Sequence, residues 1–222
     1  LGYPNGVGAP RPGPAPAQED PQMLYPDAAS WHAAERRSLA LIGMSGVGKT
    51  RLSSLLRDEG DWFHYSVDYR IGTRYLGERI TDEFKREAMK SPKLRELLRS
   101  DSLSLRSKLS FHNLTPLSNW LGKPGDPERG GMDFDEYVRR QRLHREAEIA
   151  AMLDARGFAD RARELYDYDH FVCDTSGSIC EVVEPDNPRD PVLSALSRAM
   201  LLVHIRGGRA HEAALKARFD RA

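Results

Sequence analysis

The sequence has little of three features that would assign it to a specialised class of protein. It holds only two cysteines, too few for a disulfide scaffold, and we expect a reducing, cytoplasmic location. It has no apolar run near the roughly 18 residues that a membrane-spanning helix needs, and no N-terminal signal peptide pattern. Neither sign of charge is in excess, with 33 basic and 33 acidic residues. We therefore expect no nucleic acid and no membrane as a partner.

Large apolar side chains are also scarce in residues 1–30. This segment holds seven of the chain's 14 prolines and four glycines. Such a composition cannot bury enough apolar surface to offset the entropy lost on ordering. It predicts a disordered arm over residues 1–30, a passive tail more readily than a docking peptide. Residues 31–222 are enough for one α/β domain with an insertion.

What the sequence does contain is a glycine-rich loop, residues 43–50, that ends in Lys49 and Thr50. The spacing of its first and last glycines is that of the phosphate-binding P-loop. The apolar run 39–42 predicts a buried strand before it, and leucines at helical spacing in 51–57 predict a helix after it. A chance turn between a strand and a helix is the alternative, but it would not require the Lys-Thr pair.

Each residue type in this loop has a physical reason to be there. Glycines let the backbone bend and come close to a polyphosphate, so that successive amides point at it as donors. The start of the following helix adds a positive dipole end. Lys49 is expected to reach the β- and γ-phosphates, and the Thr50 hydroxyl to hold Mg²⁺. The predicted nucleotide-binding residues are Gly43, Ser45, Gly46, Val47, Gly48, Lys49, Thr50 and Arg51.

The aromatic and β-branched run 62–67 predicts a second strand, which delivers Asp68 and Arg70 at its carboxyl end. Ligands of open parallel sheets bind at that end. Two charges separated by one residue share a side of an extended backbone, so we expect both to face the ligand. A surface ion pair that closes a turn before Gly72 is the alternative.

A third strand, 170–173, ends in Asp174. An acidic residue there can orient Mg²⁺ opposite the Thr50 hydroxyl, which makes Asp174 our candidate Walker B residue. Gly177 permits a close backbone approach, and Ser178 either donates to a ligand or belongs to a structural turn. A fourth buried strand is predicted over 200–205. The resemblance of the glycine-rich loop and these strands to P-loop proteins implies a three-layer α/β sandwich with a parallel sheet of about four strands in the order 2-3-1-4.

Between the second and third strands, residues 78–166 show helix punctuation and no strand pattern. The Asp133 cap begins a long helix that we expect to end near Ala155 at Gly157, followed by a shorter helix over 158–166. Its charges are most simply a solvated face, and an arginine-bearing lid over the phosphates is the alternative. The arginines concerned are Arg139, Arg140, Arg142 and Arg145.

The order of these segments resembles that of the P-loop small-molecule kinases, with shikimate kinase and gluconate kinase nearest in layout. The stretches 66–76 and 171–181 are also similar to bacterial, mainly alphaproteobacterial, proteins described only as ATPases. The resemblance implies that Asp68 faces the acceptor hydroxyl and that Gly177 lines the substrate pocket. The chain departs from the shikimate kinase pattern at Thr175 and Ser176, where that family has glycines, and in the position of its insertion.

These observations predict a Mg²⁺-dependent phosphotransferase or ATPase that uses ATP (or ADP). The expected catalytic residues are Lys49, Asp68, Arg70 and Asp174, with Thr50 and Asp174 as metal ligands. Arg70 would pair with an anionic substrate or the γ-phosphate. The other substrate would be a small-molecule acceptor. The alternative is a nucleotide-dependent regulatory switch that binds a protein partner through its helical insertion.

Overall fold

Four short apolar segments pair into one parallel sheet in the computed structural model, which describes residues 25–221. They are β1 (Ser38–Ile42), β2 (Trp62–Ser66), β3 (His170–Asp174) and β4 (Leu201–His204). The order across the sheet is β2-β3-β1-β4, which confirms the predicted order and the predicted α/β class. β4 is half-buried rather than fully buried, because it lies at the edge of the sheet.

Helices fill the connections between the strands. They are α1 (Ala28–Ala33), α2 (Lys49–Glu59), α3 (Val67–Arg70), α4 (Gly77–Ala88), α5 (Pro92–Arg99), α6 (Thr115–Leu121), α7 (Phe134–Tyr166), α8 (Pro191–Ala199) and α9 (Arg209–Arg221). A π-helical turn, Ile71–Tyr75, joins α3 to α4. No helix among these described residues has both the length and the apolar character to cross a membrane.

The predicted N-terminal arm falls largely outside the described residues. Its last part does not match the prediction, since Ala28–Ala33 forms α1. Asp27 explains the difference, because its side chain accepts a hydrogen bond from the Ser30 amide and caps the helix. Trp31 on this helix then packs against the sheet.

The register of the strands brings three chain segments to one edge of the sheet. Asp174 is the pairing partner of Leu41 on one side and of Ser66 on the other. Because all the strands are parallel, the chain leaves β1, β2 and β3 at this same carboxyl edge. The glycine-rich loop, Asp68 and the turn after Asp174 are thereby placed side by side.

Apolar residues alternate along the strands and give the sheet two buried faces. Ala40 and Phe171 belong to the larger cluster, which packs beneath α7 and α8. Leu39 and Leu41 point to the opposite face, where Leu56 of α2 covers them. Alternation of this kind is expected when helices lie on both sides of a parallel sheet.

The long helix of the insertion differs from the prediction, because α7 continues through Gly157 as one helix of 33 residues. A glycine inside a helix costs only about 1 kcal/mol, and burial of a continuous apolar stripe outweighs that cost. The stripe runs at spacings of three and four residues on both sides of Gly157. Its buried alanines are Ala147, Ala151, Ala155, Ala159 and Ala162.

Arg140 also differs from the solvated position predicted for it. Its side chain is buried and donates to the Trp120 carbonyl oxygen at 2.5 Å. It also donates to carboxylate oxygens of Glu136 at 2.6 Å and Glu83 at 3.3 Å. These partners come from α6, α7 and α4, so one guanidinium joins three helices of the insertion. The insertion is therefore packed around an internal ion pair at this point.

Candidate functional site

The glycine-rich loop adopts a backbone that requires glycine at two critical positions. Gly43 has a φ of 154°, and a Cβ atom there would lie 2.5 Å from the carbonyl oxygen of Ile205. Gly48 has a φ of 98° and is the N-cap residue of α2. As glycine it offers no side-chain oxygen to the first-turn amides of α2, which stay available as donors at the carboxyl edge of the sheet.

Lys49 is held inside this loop. Its side chain is buried, and its Nζ donates to the carbonyl oxygens of Gly43 at 2.7 Å and Met44 at 3.1 Å. Burial lowers the pKa of Lys49, while the nearby carboxylates of Asp174 and Asp68 act in the opposite direction. The arrangement fixes a desolvated ammonium group beside two carboxyl groups.

A cavity of about 190 Å³ opens between the loop, the end of β3 and the start of α3. Most of the residues predicted for the site border it. Its lining consists of Ser45, Gly46, Gly48, Lys49, Thr50, Asp68, Asp174, Thr175 and Gly177. The predicted binding residues outside this lining are Gly43, Val47 and Arg51. Gly43 still takes part, through the carbonyl oxygen that holds Lys49.

The two predicted carboxylates of the cavity have different environments. Burial raises the pKa of Asp68 to about 6, and Asp174 and Glu148 add to the shift, while Lys49 lowers it. Asp174 is buried at the end of β3, and its side chain forms no hydrogen bond within residues 25–221. Among its neighbours there is His64, whose Nε2 lies 3.6 Å from Oδ2 of Asp174.

Arg70 is not brought into the cavity, contrary to prediction. The residues after β2 form α3, and side chains two residues apart on a helix point in different directions. The Arg70 guanidinium donates two hydrogen bonds to Oδ2 of Asp154, at 2.8 and 3.0 Å. It also lies 4.6 Å from the centre of the Phe158 ring. Arg70 therefore fastens α3 to α7.

Glu148 of α7 is a buried carboxylate beside the site that the sequence analysis missed. It accepts hydrogen bonds from the hydroxyl groups of Ser176 and Ser178, the latter at 2.8 Å. Between these serines, a Cβ atom on Gly177 would lie 2.8 Å from Cβ of Ser45 in the loop. Ser178 thus binds Glu148, and the turn after β3 joins the loop to the insertion.

The sequence did carry a signal for Glu148. It stands three, four and seven residues before Ala151, Met152 and Ala155, all of which are buried. A charged residue in phase with an apolar stripe is expected to be buried and therefore paired. The many charged residues around it on α7 favour a solvated face only if the face of the helix on which each one lies is ignored.

His64 is the second residue that the sequence analysis did not single out. Its side chain on β2 is fully buried, and neither ring nitrogen has a hydrogen-bond partner in the described part of the chain. One side of the ring meets Phe111, with ring centres 4.7 Å apart. Its Nε2 approaches Oδ2 of Asp174, at 3.6 Å. Because His64 lies in an aromatic strand run, its sequence pattern is the same as that of an ordinary core residue.

The last helix lies against the outer side of the loop. His211 Nε2 is 3.3 Å from the Ser45 carbonyl oxygen. A Cβ atom on Gly46 would lie 3.2 Å from Cδ2 of Leu215. The loop is therefore packed between α9 and the turn that contains Gly177.

Comparison of the chain with protein-family models, with curated proteins and with solved structures finds no match. The assignment of the site thus depends on its own geometry. Within the described residues, no three His, Cys, Asp or Glu side chains are grouped so as to hold a metal ion without other ligands.

Proposed function

We propose that this chain is a P-loop protein that binds ATP (or ADP) with Mg²⁺ and acts as a phosphotransferase of the small-molecule kinase type or as an ATPase. One observation carries the proposal. A glycine-rich loop, a buried lysine, a threonine and two carboxylates from separate segments border one cavity at the carboxyl edge of a parallel sheet. That edge is where α/β proteins of this topology bind their ligands.

The phosphates are the part of the nucleotide that this cavity suits. Its volume of about 190 Å³ is below the roughly 300 Å³ at which pockets for whole small molecules begin. The loop amides and Lys49 would contact phosphate oxygens, and the ribose and base would lie outside. A desolvated ammonium is a strong partner for phosphate, because its attraction is little screened by water.

The residues present also fit Mg²⁺. This ion is usually bound by one or two carboxylates together with water and substrate phosphates, and seldom by a complete protein cage. Thr50 and Asp174 would hold it, and no side chain or backbone group of residues 25–221 hydrogen-bonds to the Asp174 carboxylate, which leaves its oxygens open for this purpose. When bound, the ion would neutralise charge on the phosphates.

Asp68 is the residue that we assign to the acceptor. With a pKa of about 6, its carboxyl group is mostly ionised at pH 7 and can still accept a proton. As the acceptor oxygen bonds to the γ-phosphorus and the bond to ADP breaks, the hydroxyl proton would pass to Asp68. Lys49 would stay on the phosphates throughout and balance their charge.

A nucleotide-depletion assay with pooled metabolites tests the enzymatic role. We expect at least one pool to stimulate ATP consumption by the wild type, and this stimulation to be lost in Asp68→Asn. Asp160→Asn on the exposed side of α7 is the matched control and should behave as the wild type. Stimulation that survives in Asp68→Asn would refute the role of Asp68.

The second candidate is a nucleotide-dependent switch, and the contacts of Glu148 favour it. They join α7 of the insertion to the turn that touches the loop at Ser45. Phosphates in the loop could thus alter the insertion, which would then present a changed surface to a protein partner. Stimulation by none of the pools, together with slower hydrogen exchange in α7 on nucleotide addition, would favour the switch over the kinase.

A further inference from the structure

The buried imidazole of His64 has an environment that a purely structural role does not explain. The side chain is fully buried, and both of its nitrogens lack hydrogen bonds within the described residues. A buried polar group without a partner costs on the order of 1–3 kcal/mol, so an apolar side chain of similar shape would be more stable there. This free-energy cost indicates that the imidazole has a functional role.

The geometry around His64 indicates what that use is. Its Nε2 points towards Asp174 and lies 3.6 Å from Oδ2, just beyond hydrogen-bonding distance. The ring of Phe111 packs near it, and the His64 side chain is fully buried. Asp174 has no other hydrogen-bond donor among the described residues, so the imidazole is the group placed to set the orientation of its carboxylate.

We propose that His64 is a positioning residue for the metal ligand Asp174, an inference that depends on the proposed function. Its Nε2–H donates to Oδ2 of Asp174 when Mg²⁺ and nucleotide are bound, and this fixes the carboxylate so that its other oxygen faces the ion. Such outer contacts to metal ligands are worth about 10- to 100-fold in metal affinity. His64 itself touches neither nucleotide nor metal.

The dependence of nucleotide affinity on Mg²⁺ measures this role without turnover. Titration calorimetry gives the dissociation constant of a non-hydrolysable ATP analogue with Mg²⁺ and with EDTA, for the wild type and three variants. His64→Phe keeps a ring but has no donor, His64→Gln keeps an amide donor, and His32→Phe is an exposed control. We expect the strengthening of binding by Mg²⁺ to fall roughly tenfold in His64→Phe alone. In EDTA all four proteins should bind alike.

Retention of the wild-type Mg²⁺ effect by His64→Phe would overturn the positioning role and leave the proposed function standing. Failure of the wild type to bind nucleotide would instead overturn the proposed function. A second measurement does not depend on the folding of the variant. In wild-type protein with ¹⁵N-labelled histidine, His64 should carry its proton on Nε2, and the Nε2 resonance should move when Mg²⁺ and the analogue are added together. An unchanged resonance, or a proton on Nδ1, would contradict the inference.

Discussion

At the scale of single residues, Lys49 is the group on which the proposed phosphate binding depends most. It is a buried cation held by two carbonyl oxygens of the loop, and two carboxyl groups stand near it. We predict that Lys49→Ala weakens nucleotide binding roughly tenfold or more and lowers turnover roughly 100-fold or more. The sheet should stay folded, because its two apolar clusters do not include this side chain.

Lys93→Ala is the matched control for this variant. Lys93 is exposed on α5 and does not border the cavity, so its loss should change neither binding nor turnover. The measurement is ATP consumption and calorimetric affinity, with circular dichroism to check the fold. Full turnover in Lys49→Ala would exclude the role assigned to the lysine.

Asp68 gives a prediction about stability and pH. Its pKa is about 6 in the folded chain and 3.8 in its ordinary state, so the folded chain favours the protonated form. The stability that this supplies is complete below pH 3.8 and is lost as the pH rises through 6. We therefore expect Asp68→Asn to raise the free energy of unfolding at pH 8, by on the order of 3 kcal/mol, and to have little effect at pH 3.5.

Urea unfolding at the two pH values checks this expectation. An equal effect of Asp68→Asn at both would show that the carboxyl group is not destabilised by burial. Asp160→Asn again supplies the control, since that side chain is exposed and its loss should be neutral at both pH values.

Residue positions were predictable from the sequence where the backbone alone decides them. Gly46, Gly48, Lys49, Thr50 and Asp174 follow from strand ends and spacing, and they border one cavity. Arg70 was placed wrongly because its direction depends on whether β2 ends before it. His64 was missed because only its contact with Asp174, at the end of the neighbouring strand β3, distinguishes it from a core residue.

At the scale of elements, the continuity of α7 through Gly157 is testable. The glycine is exposed, a Cβ atom there would meet nothing within 4 Å, and its φ is not in the left-handed region. We predict that Gly157→Ala stabilises the protein by about 0.5–1 kcal/mol, because alanine loses less entropy in a helix. Thermal or urea unfolding measures it. Destabilisation by a similar amount would mean that a helix ends at Gly157, since a left-handed C-terminal glycine resists this change.

Arg140 tests whether the insertion is held together by its buried ion pair. Arg140→Ala removes the donor shared by Glu83, Glu136 and the Trp120 carbonyl oxygen. We expect a loss of about 2–4 kcal/mol in the free energy of unfolding, because these acceptors lose a desolvated partner.

The neighbouring Arg139→Ala is the matched control. It also removes a pair with Glu136, but one in which Arg139 is exposed, so the expected loss is below about 1 kcal/mol. Equal losses in the two variants would show that the burial of Arg140 contributes nothing, and that the insertion is held by apolar packing alone.

At the scale of the whole molecule, the sheet was predictable and the packing of the insertion was not. Four apolar runs, each followed by a turn or a polar residue, are local signals, and the resemblance to P-loop kinases supplied their order. The insertion depends on contacts between distant positions, such as Arg140 with Glu83 and Glu148 with Ser176. No periodicity in one segment specifies such pairs, because each depends on how separate helices come together.

Two sets of long-range contacts bear on the function of the molecule. One set, at the carboxyl edge of the sheet, encloses the cavity, and another joins that cavity to α7 through Glu148. Both the kinase and the switch require a nucleotide in the loop. Nucleotide binding is therefore the claim on which the rest of the account depends.

Titration of the wild-type protein with ATP and Mg²⁺ by calorimetry tests that claim most directly. We predict saturable binding of one nucleotide per chain, weakened when Mg²⁺ is removed and weakened further in Lys49→Ala. ADP should also bind, since the loop would contact phosphates that both nucleotides share. If neither ATP nor ADP binds to protein that is shown to be folded, nucleotide binding and all that depends on it are contradicted.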